Sequence, residues 1–486
     1  MNYEQFIPQI GAASPAQFGV FEKSINTVGG VTVFMAKDGD ETVIISTGDI
    51  GFAGESITAS GVSYVKAPLN HENACVLRRL FPFTAPVRVL GHERSFGVGD
   101  RLGIATPGHI RVFEDFDAYP VLAQQSMREL TLTNRTYEDV VDSASFFVYR
   151  DGFKKGFGAD GDHLKTAKDV EYALSLGFTM ITLDCSDHIK NGVTDEMCAD
   201  FVIPSEFSQR YLGKTFDIGE GVTLTFNETE LKKILMIYGG AIDFAHEIYS
   251  AFFASGKYDA DFEISIDETA TPTTPLQHFF VASELTRCGV KCATVAPRFC
   301  GEFQKGVDYI GDLKQFEEEM AVHSTIARHF GYKLSIHSGS DKFSTFPIIG
   351  EKNRGVFHVK TAGTNWLEAM RVVAVADPSL YRQIHKYALT AFAEASTYYH
   401  VTTDLNKIPD IDKMSDSELP ELFTQNDPRQ LIHITYGLIL NKKTPDGKFE
   451  FKDRLYKLWR EKEDLYSDAL YSHIGRHLTE LGVARV

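Results

Sequence analysis

The feature that most constrains the fold is a repeated cycle from about residue 96, in which a short apolar strand ends in polar residues and a helix-period segment follows. The sequence predicts eight such strands, at residues 101–109, 119–125, 156–163, 178–184, 262–268, 292–299, 333–340 and 356–361. Eight strand–helix cycles are what a (β/α)8 TIM barrel requires, and such barrels carry their chemistry at the carboxyl ends of the strands. We therefore expect an α/β protein whose polar strand ends converge on one site.

The segments that flank this cycle predict additions to the barrel. Residues 1–95 carry short β-prone runs between turn-rich pieces, which predicts a β-rich N-terminal cap. Residues 96–371 form the predicted catalytic barrel, with an insertion at about 189–260 that contains its own amphipathic helix. Residues 372–486 are predicted to form a mostly helical C-terminal extension that packs on the barrel. The 486-residue length is ample for this arrangement.

Charge and cysteine usage restrict the partners and the compartment. The chain has 49 lysine and arginine residues against 66 aspartate and glutamate residues, for a net charge of −17. This balance argues against a nucleic acid or an anionic membrane as the main partner, because both need local positive potential. Six cysteines without a CxxC pair predict reduced thiols, and the N-terminus resembles no signal peptide. We expect a cytoplasmic enzyme that acts on a small molecule, and a homo-oligomer remains open.

A glycine motif at residues 156–161 matches the dinucleotide fingerprint Gly-x-Gly-x-x-Gly and precedes a helix-period segment. The same loop carries Asp160 and Asp162, whose carboxylates would repel a pyrophosphate that approaches the backbone amides. Glycines in a tight βα turn explain the motif without a nucleotide. We therefore predict no nucleotide cofactor.

Histidines at separate strand ends indicate a metal site. His163, His337 and His358 lie at or beside the third, seventh and eighth strand ends, and Glu268 and Glu302 are acids from other strands. Imidazole nitrogens with a carboxylate suit a divalent transition metal such as zinc, manganese, nickel, cobalt or iron. Each histidine has a structural alternative as a hydrogen-bonded residue of the barrel.

Carboxylates beside these histidines provide candidates for proton transfer. Asp162 directly precedes His163, so a base would lie next to a metal ligand. Asp267 and Glu268 after the fifth strand form a second acid–base candidate. Cations at the seventh and eighth strand ends could bind a carboxylate or phosphate, namely Lys342, Arg354 and Lys360. The residues predicted to contact substrate are Gln125, Asp184, His358 and Lys360.

Four long motifs carry a resemblance to the bacterial tagaturonate epimerase family over essentially the whole chain. They are Gly-Ala-Asp-Gly-Asp-His-Leu-Lys at 158–165, Ala-Pro-Arg-Phe-Cys-Gly-Glu-Phe-Gln-Lys-Gly-Val-Asp-Tyr-Ile-Gly-Asp at 296–312, Ile-His-Ser-Gly-Ser-Asp-Lys-Phe at 336–343 and Phe-His-Val-Lys-Thr-Ala-Gly-Thr at 357–364. Residues 100–370 are also similar, more weakly, to the class II zinc-dependent ketose-bisphosphate aldolases. The closer resemblance implies a metal-dependent isomerase that interconverts D-tagaturonate and D-fructuronate in hexuronate catabolism.

The resemblance also implies roles for individual residues. It suggests His163 and His337 as metal ligands, Asp162 as the proton acceptor and Glu268 as the proton donor. The aldolases use a third histidine near the sixth strand end, but residues 300–305 of this chain contain none. For the third ligand we therefore choose Glu302, with Gln304 and His358 as alternatives.

The reaction itself favours an aldolase-like site. The inverted carbon lies two carbons from the ketone, so that simple enolisation cannot racemise it, whereas cleavage and re-formation of a carbon–carbon bond can. Oxidation by a bound nicotinamide and elimination with re-addition remain alternative routes. A true aldolase, a sugar isomerase and a non-catalytic sugar-acid-binding protein remain alternative functions. Fructose and tagatose share the reacting carbons, so a 4-epimerase side activity on these neutral sugars is also expected.

Overall fold

The N-terminal region forms a five-stranded antiparallel sheet with strand order β1-β2-β3-β5-β4. Its strands are β1 (Asn26–Val28), β2 (Val31–Asp38), β3 (Glu41–Ser46), β4 (Glu55–Ala59) and β5 (Val62–Pro68). Alternate residues of β2 face opposite sides: Val33 packs with helix α1 (His71–Leu80), and Phe34 packs with residues before the sheet. The computed structural model describes residues 3–59 and 61–486, so Met1, Asn2 and Ser60 of the predicted cap lie outside the described residues.

Eight parallel strands close into a barrel, in the order β6-β7-β8-β9-β12-β13-β14-β15. In chain order, the barrel strands and the β10–β11 hairpin of the insertion are β6 (Arg94–Val98), β7 (Tyr119–Ser126), β8 (Gly158–Leu164), β9 (Met180–Asp184), β10 (Thr215–Asp217), β11 (Thr223–Thr225), β12 (Asp261–Ile266), β13 (Thr294–Pro297), β14 (Lys333–Ile336) and β15 (Phe357–Thr361). The (β/α)8 barrel predicted from the sequence is confirmed.

The first barrel strand is β6, and the prediction of a strand at residues 101–109 is wrong. The carboxylate of Asp100 accepts hydrogen bonds from the backbone N–H groups of Leu102, Gly103 and Ala105, which folds this stretch into a turn. Pro107 then lies in the first turn of a helix, where its missing N–H costs nothing. Apolar residues that suggested a strand therefore belong to a loop and a helix start.

The remaining helices surround the barrel and form the C-terminal region. They are α2 (Thr106–Asp115), α3 (Met127–Thr133), α4 (Tyr137–Asp151), α5 (Ala167–Ser175), α6 (Asp195–Ala199), α7 (Ser205–Tyr211), α8 (Glu228–Phe252), α9 (Pro275–Arg287), α10 (Leu313–Phe330), α11 (Phe346–Lys352), α12 (Thr364–Ala376), α13 (Pro378–Ala395), α14 (Asn426–Ile434), α15 (Tyr436–Asn441), α16 (Lys452–Glu461) and α17 (Glu463–Glu480). Side-chain caps define several starts: Thr166 caps α5, and Thr274 forms a capping box at α9. No helix among the described residues combines the length and apolar character needed to cross a bilayer.

The glycine motif lies partly inside a strand, which corrects its interpretation as a βα turn. Gly158 and Gly161 belong to β8, so their amides are part of the barrel. A Cβ on Gly161 would come within 3.1 Å of Ala173 in α5 and of Ile181 in β9. The glycine therefore permits close helix–strand packing.

The C-terminal helices share one apolar core with α12, the helix that follows the last barrel strand. Trp366 of α12 and Trp459 of α16 are both fully buried in this core. Helix α17 packs against α2 and α12 on the outside of the barrel. The boundary predicted at residue 371 falls inside α12, so the extension continues directly from the barrel.

Candidate active site

Two adjoining cavities lie at the carboxyl ends of the barrel strands. The outer cavity has a volume of about 360 Å³ and the inner one about 70 Å³. Residues from several strand ends line both cavities, namely Arg128, Asp267, Glu268, Gln304, Lys305, His337 and Ser338, together with Tyr399 of the C-terminal region. Tyr398 and His400 complete the outer wall. The C-terminal extension, to which the sequence assigns no role, thus forms part of the site.

His163, Asp267 and His337 bring their possible metal-ligating atoms within 4.8 Å of one another. The rings of the two histidines have centroids 4.8 Å apart. Both histidines were predicted as ligands from the sequence, whereas Asp267 was predicted for acid–base chemistry. Two imidazoles and one carboxylate are the donor set of many catalytic metal sites that keep positions open for substrate.

Carboxylates outside this group determine which ring nitrogens face it. Nδ1 of His163 lies 2.7 Å from Oδ1 of Asp162, and Nε2 of His337 lies 2.8 Å from Oε1 of Glu263. In the neutral form of the rings, these contacts hold the protons on the outer nitrogens and leave His163 Nε2 and His337 Nδ1 as the nitrogens that can ligate a cation. The buried Nδ1 of His337 has no hydrogen-bond partner and lies 3.2 Å from Asp267 Oδ1. The residues therefore fit a divalent cation.

The charge on these groups follows from the same contacts. Burial alone lowers the pKa of His337, but the carboxylates of Asp267 and Glu263 raise it to about 10. Without a cation, the ring is therefore held as an imidazolium between two acids. A bound cation would replace this proton, because the metal-ligating form of histidine is neutral.

A bulge in β8 directs His163 into the site. The pairing of β8 with β9 shifts between Gly161 and Leu164, and His163 has a left-handed backbone with φ of 55°. Such a conformation is strained for a residue with a Cβ and is concentrated at functional sites. The bulge allows the adjacent residues Asp162 and His163 both to line the inner cavity.

Lys360 lies beneath the site and is engaged by barrel carboxylates. Its ammonium lies 2.6 Å from Asp160, 2.5 Å from Asp162 and 3.4 Å from Glu263, and it donates to Thr182 at 2.6 Å. Burial opposes this charge, but the three carboxylates raise the pKa of Lys360 well above its usual range. The structure places Lys360 as an internal counter-ion, with its ammonium already engaged, although the sequence predicted it as a substrate contact.

Asp162 and Glu268, the two predicted proton-transfer residues, both line the inner cavity. Burial raises the pKa of Asp162, but Lys360 and His163 outweigh it and hold that pKa well below the usual range. Asp162 is therefore an anion at neutral pH, which a proton acceptor must be. Glu268 directly follows Asp267 and is more exposed than Asp162.

The three candidates for the third metal ligand lie apart from the His163–Asp267–His337 group. Glu302 lines only the outer cavity, where it accepts a hydrogen bond from Gln304 and lies 3.4 Å from His400. The Oε1 of Gln304 accepts bonds from Thr402 and Gln430 of the C-terminal region. His358 is buried in β15 with Nδ1 2.9 Å from Ser95, and burial lowers its pKa to about 3. His358 is thus a hydrogen-bonded structural residue of the barrel, which is the alternative to a metal ligand given in the sequence analysis.

Two predicted substrate contacts lie outside both cavities. Gln125 accepts a hydrogen bond from Arg135, whereas its neighbours Gln124 and Ser126 line the inner cavity. The side chains of β7 point alternately to the barrel interior and to the surrounding helices. The predicted residue, Gln125, is therefore one position away from the side chains that face the cavity. Asp184 accepts a hydrogen bond from the Ser186 amide and lies 3.7 Å from Lys165.

Comparison with known proteins decides the family. A family model described as tagaturonate epimerase matches residues 21–481. The chain belongs to the tagaturonate epimerase family. It is 41% identical over 472 residues to a tagaturonate/fructuronate epimerase of Thermotoga maritima, covering 95% of this chain and 96% of that protein. The resemblance stated from the sequence is confirmed, as is the class of enzyme, an epimerase.

Solved structures of the tagaturonate epimerase family share the whole fold. The native crystal structure of the fructuronate-tagaturonate epimerase UxaE from Cohnella laeviribosi matches with a TM-score of 0.93 and 46% identity over 99% of each chain. A glycerol complex of the same protein matches with a TM-score of 0.92, again at 46% identity and 99% coverage of each chain. The cap, barrel and C-terminal extension are therefore all parts of the fold of this family.

The tagaturonate epimerase motifs meet at the cavities. The motif at 158–165 supplies Asp162 and His163, the motif at 336–343 supplies His337, and the motif at 357–364 supplies Lys360. Sequence reasoning missed Glu263 as the partner of His337. The signal was present in β12, because Glu263, Ser265 and Asp267 follow the two-residue period of side chains that face the barrel interior.

Proposed function

We propose that this chain interconverts D-tagaturonate and D-fructuronate with a divalent cation held by His163, Asp267 and His337. The observation that carries the proposal is that His163, His337 and Asp267 gather their possible ligand atoms at the inner cavity, while Asp162 and Glu263 engage the outer ring nitrogens of the two histidines. The substrates named for the relatives support the choice of hexuronates. The cation would stabilise negative charge that develops on the substrate oxygens.

Asp162 starts the proposed reaction as the proton acceptor. It takes the proton of the hydroxyl on the inverting carbon, and that oxygen becomes the carbonyl of an aldehyde. The bond from the inverting carbon to the carbon next to the ketone breaks, and its electron pair converts the ketone fragment into an enolate. Because Lys360 and His163 hold Asp162 in one orientation, the base is positioned before substrate binds.

Inversion requires the aldehyde fragment to present its other face before the bond re-forms. The enolate then attacks the aldehyde carbon, and the new alkoxide takes up a proton. Glu268 lines the same inner cavity from the end of β12, whereas Asp162 belongs to β8. We assign Glu268 to proton return on this second face. Tyr398 and Tyr399 form part of the wall that retains the fragments.

The test is turnover of D-tagaturonate by protein stripped with a chelator, with Mn²⁺, Zn²⁺ or NAD⁺ added back separately. The proposal predicts fructuronate formation with metal alone. At saturating metal, Asp162→Asn should lose about 10³-fold or more of kcat, because the base is removed. Asp184→Asn is the matched control, since this acid is the last residue of the neighbouring strand β9 but lies outside the cavities.

Two results would contradict the proposal. A requirement for NAD⁺ would replace carbon–carbon cleavage with transient oxidation of the inverting carbon. Release of free three-carbon products in place of the epimer would assign the site to an aldolase. Turnover of neutral tagatose or fructose alongside tagaturonate would show the predicted side activity.

A further inference from the structure

Five lysine and arginine side chains line the two cavities, and they differ in whether a carboxylate already neutralises them. Arg101 pairs with Glu129 at 2.7 Å, and Lys360 is held by three acids. Within residues 3–59 and 61–486, the cavity cations that form no ion pair are Arg128, Arg298 and Lys305. An anionic ligand would find its counter-charge among these three.

Lys305 is the one of the three that adjoins the metal-ligating group. Its ammonium donates a hydrogen bond to Ser338 Oγ at 3.0 Å, and Ser338 directly follows His337. The side chain is partly enclosed, and burial lowers the pKa of Lys305, because Glu129 and Glu268 only partly offset the lost hydration and neither forms an ion pair with it. An enclosed ammonium without a partner gains the most from an incoming carboxylate.

The loop that carries Lys305 is fastened in place. The ammonium of Lys342 donates to the backbone carbonyls of Gln304 at 2.9 Å and Val307 at 2.6 Å, and Gln430 donates to the carbonyl of Lys305 itself. The sequence predicted Lys342 as a candidate anion ligand, but its ammonium instead donates hydrogen bonds that hold this loop in place. The position of Lys305 is therefore set before substrate arrives.

The other two unpaired cations lie farther out or are engaged elsewhere. Arg298 lines only the outer cavity and donates to the Thr269 carbonyl. Arg128 is exposed, stacks over the Tyr399 ring at 4.8 Å and donates to a backbone carbonyl. Water therefore competes for an ion pair at Arg128, and Arg298 does not reach the inner cavity.

We propose that the Lys305 ammonium binds the carboxylate of the hexuronate and so sets the preference for sugar acids over neutral ketohexoses. This inference rests on the proposed function. The reacting carbons of tagatose and tagaturonate are the same, so discrimination has to come from the far end of the substrate. A hydroxymethyl group at that end cannot form the ion pair.

The test compares Lys305→Met and Lys305→Arg with the wild type and with Lys314→Met. Lys314 is an exposed residue of α10, so the last variant controls for loss of a lysine. Lys305→Met should lower kcat/KM for tagaturonate about 100-fold, whereas Lys305→Arg, which keeps the charge, should stay within about 10-fold. Metal content and any turnover of neutral tagatose should change less than about threefold.

Failure of the inference differs from failure of the proposed function. If the metal-loaded wild type does not act on tagaturonate, the proposed function is wrong. If the wild type is active but Lys305→Met keeps its rate, or Lys305→Arg loses as much as Lys305→Met, the carboxylate is bound elsewhere. Equal losses on tagatose and tagaturonate would make Lys305 a residue that only holds Ser338 and His337 in position.

Discussion

Two groups of two histidines and one aspartate lie near the end of β14, and only one of them is suited to a metal. The first is His163, Asp267 and His337 at the inner cavity. The second is Asp341, His473 and His477, where α17 packs against the loop after β14. Both groups have the same residue types, and in each the possible ligand atoms lie within 4.8 Å of one another. The difference between them lies in what the ring nitrogens and carboxylates already bind.

The second group is satisfied by the protein itself. His473 Nδ1 lies 3.1 Å from Glu368, and its Nε2 contacts Asp341. His477 Nδ1 donates to the His473 carbonyl at 2.8 Å, and its Nε2 accepts the Asp341 amide at 3.0 Å. Arg429 pairs with the other oxygen of Asp341 at 2.6 Å. No imidazole lone pair of this group remains free within the described residues, so it forms a structural ionic network.

The largest expected effect separates the two groups by metal content. His337→Gln should reduce bound metal to below about 0.1 ion per chain and lower epimerase activity about 10³-fold, because a direct ligand is lost. His477→Gln should retain the metal, with a loss of stability of about 1–3 kcal/mol from the broken buried hydrogen bonds. Elemental analysis measures the metal content of both variants, and thermal unfolding measures their stability. Loss of metal from His477→Gln would place the ion in the second group.

A smaller effect is expected from the carboxylate behind His337. Glu263→Gln should weaken metal affinity roughly 10- to 100-fold, because Glu263 orients His337 and fixes the proton on its Nε2. Competition with a chelator of known affinity measures the change. An unaltered affinity would mean that His337 binds through the other nitrogen or does not bind the ion.

The ionic network predicts a pH dependence of stability. Burial lowers the pKa of His473, but Asp341 and Glu368 raise it to about 9. Because the folded pKa exceeds the unfolded value of about 6.5, His473 contributes its full stabilisation below about pH 6.5 and loses it as pH rises through about 9. A shift of this size corresponds to about 3 kcal/mol.

The measurement is the difference in free energy of unfolding between wild type and His473→Gln across pH 6–10. Subtracting the variant removes the contributions of other groups, including Lys342, whose pKa burial lowers to about 7. The difference should shrink as pH rises. A difference that is constant or grows with pH would show that His473 is neutral in the folded protein.

The smallest effect is expected at Glu302, the third ligand predicted from the sequence. Glu302→Gln should change metal affinity less than about threefold, because its carboxylate contacts Gln304 and His400 in the outer cavity. Asp267→Asn should lower the affinity far more than Glu302→Gln. Titration of both apo-proteins with Mn²⁺ gives the comparison, and the reverse order would restore Glu302 as the ligand.

The barrel and two of the three residues of the His163–Asp267–His337 group could be predicted from the sequence because both follow from local patterns. Strand β8 carries Asp162 and His163 at its end, and His337 follows β14, so the rule that barrel chemistry lies at carboxyl strand ends brings them together. The same rule includes His358, however, which lies level with Ser335 in β15, two residues before the level of His337, and contacts Ser95 inside the barrel. The position of a histidine along its strand decides between these outcomes, and strand boundaries are the least reliable part of a prediction from sequence.

What the sequence could not provide depends on tertiary contacts. Asp267 rather than Glu302 lies with His163 and His337 because the ends of β12 and β14, on either side of β13, both direct side chains to the inner cavity, whereas the loop after β13 contacts the C-terminal region. The β7 side chain that lines the inner cavity is Gln124 and not the predicted Gln125, because a one-residue difference in phase places a strand side chain on the opposite face of the sheet. No local sequence pattern predicts that residues 398–400 line the outer cavity.

Anomalous diffraction from a crystal of the active, Mn²⁺-loaded protein tests the proposed metal site most directly. We expect one strong peak bounded by His163 Nε2, Asp267 and His337 Nδ1, with none between Asp341, His473 and His477. A peak between Asp341, His473 and His477 would contradict this assignment of the metal site. Full epimerase activity of a protein batch whose crystals show no peak at His163, Asp267 and His337 would also contradict it.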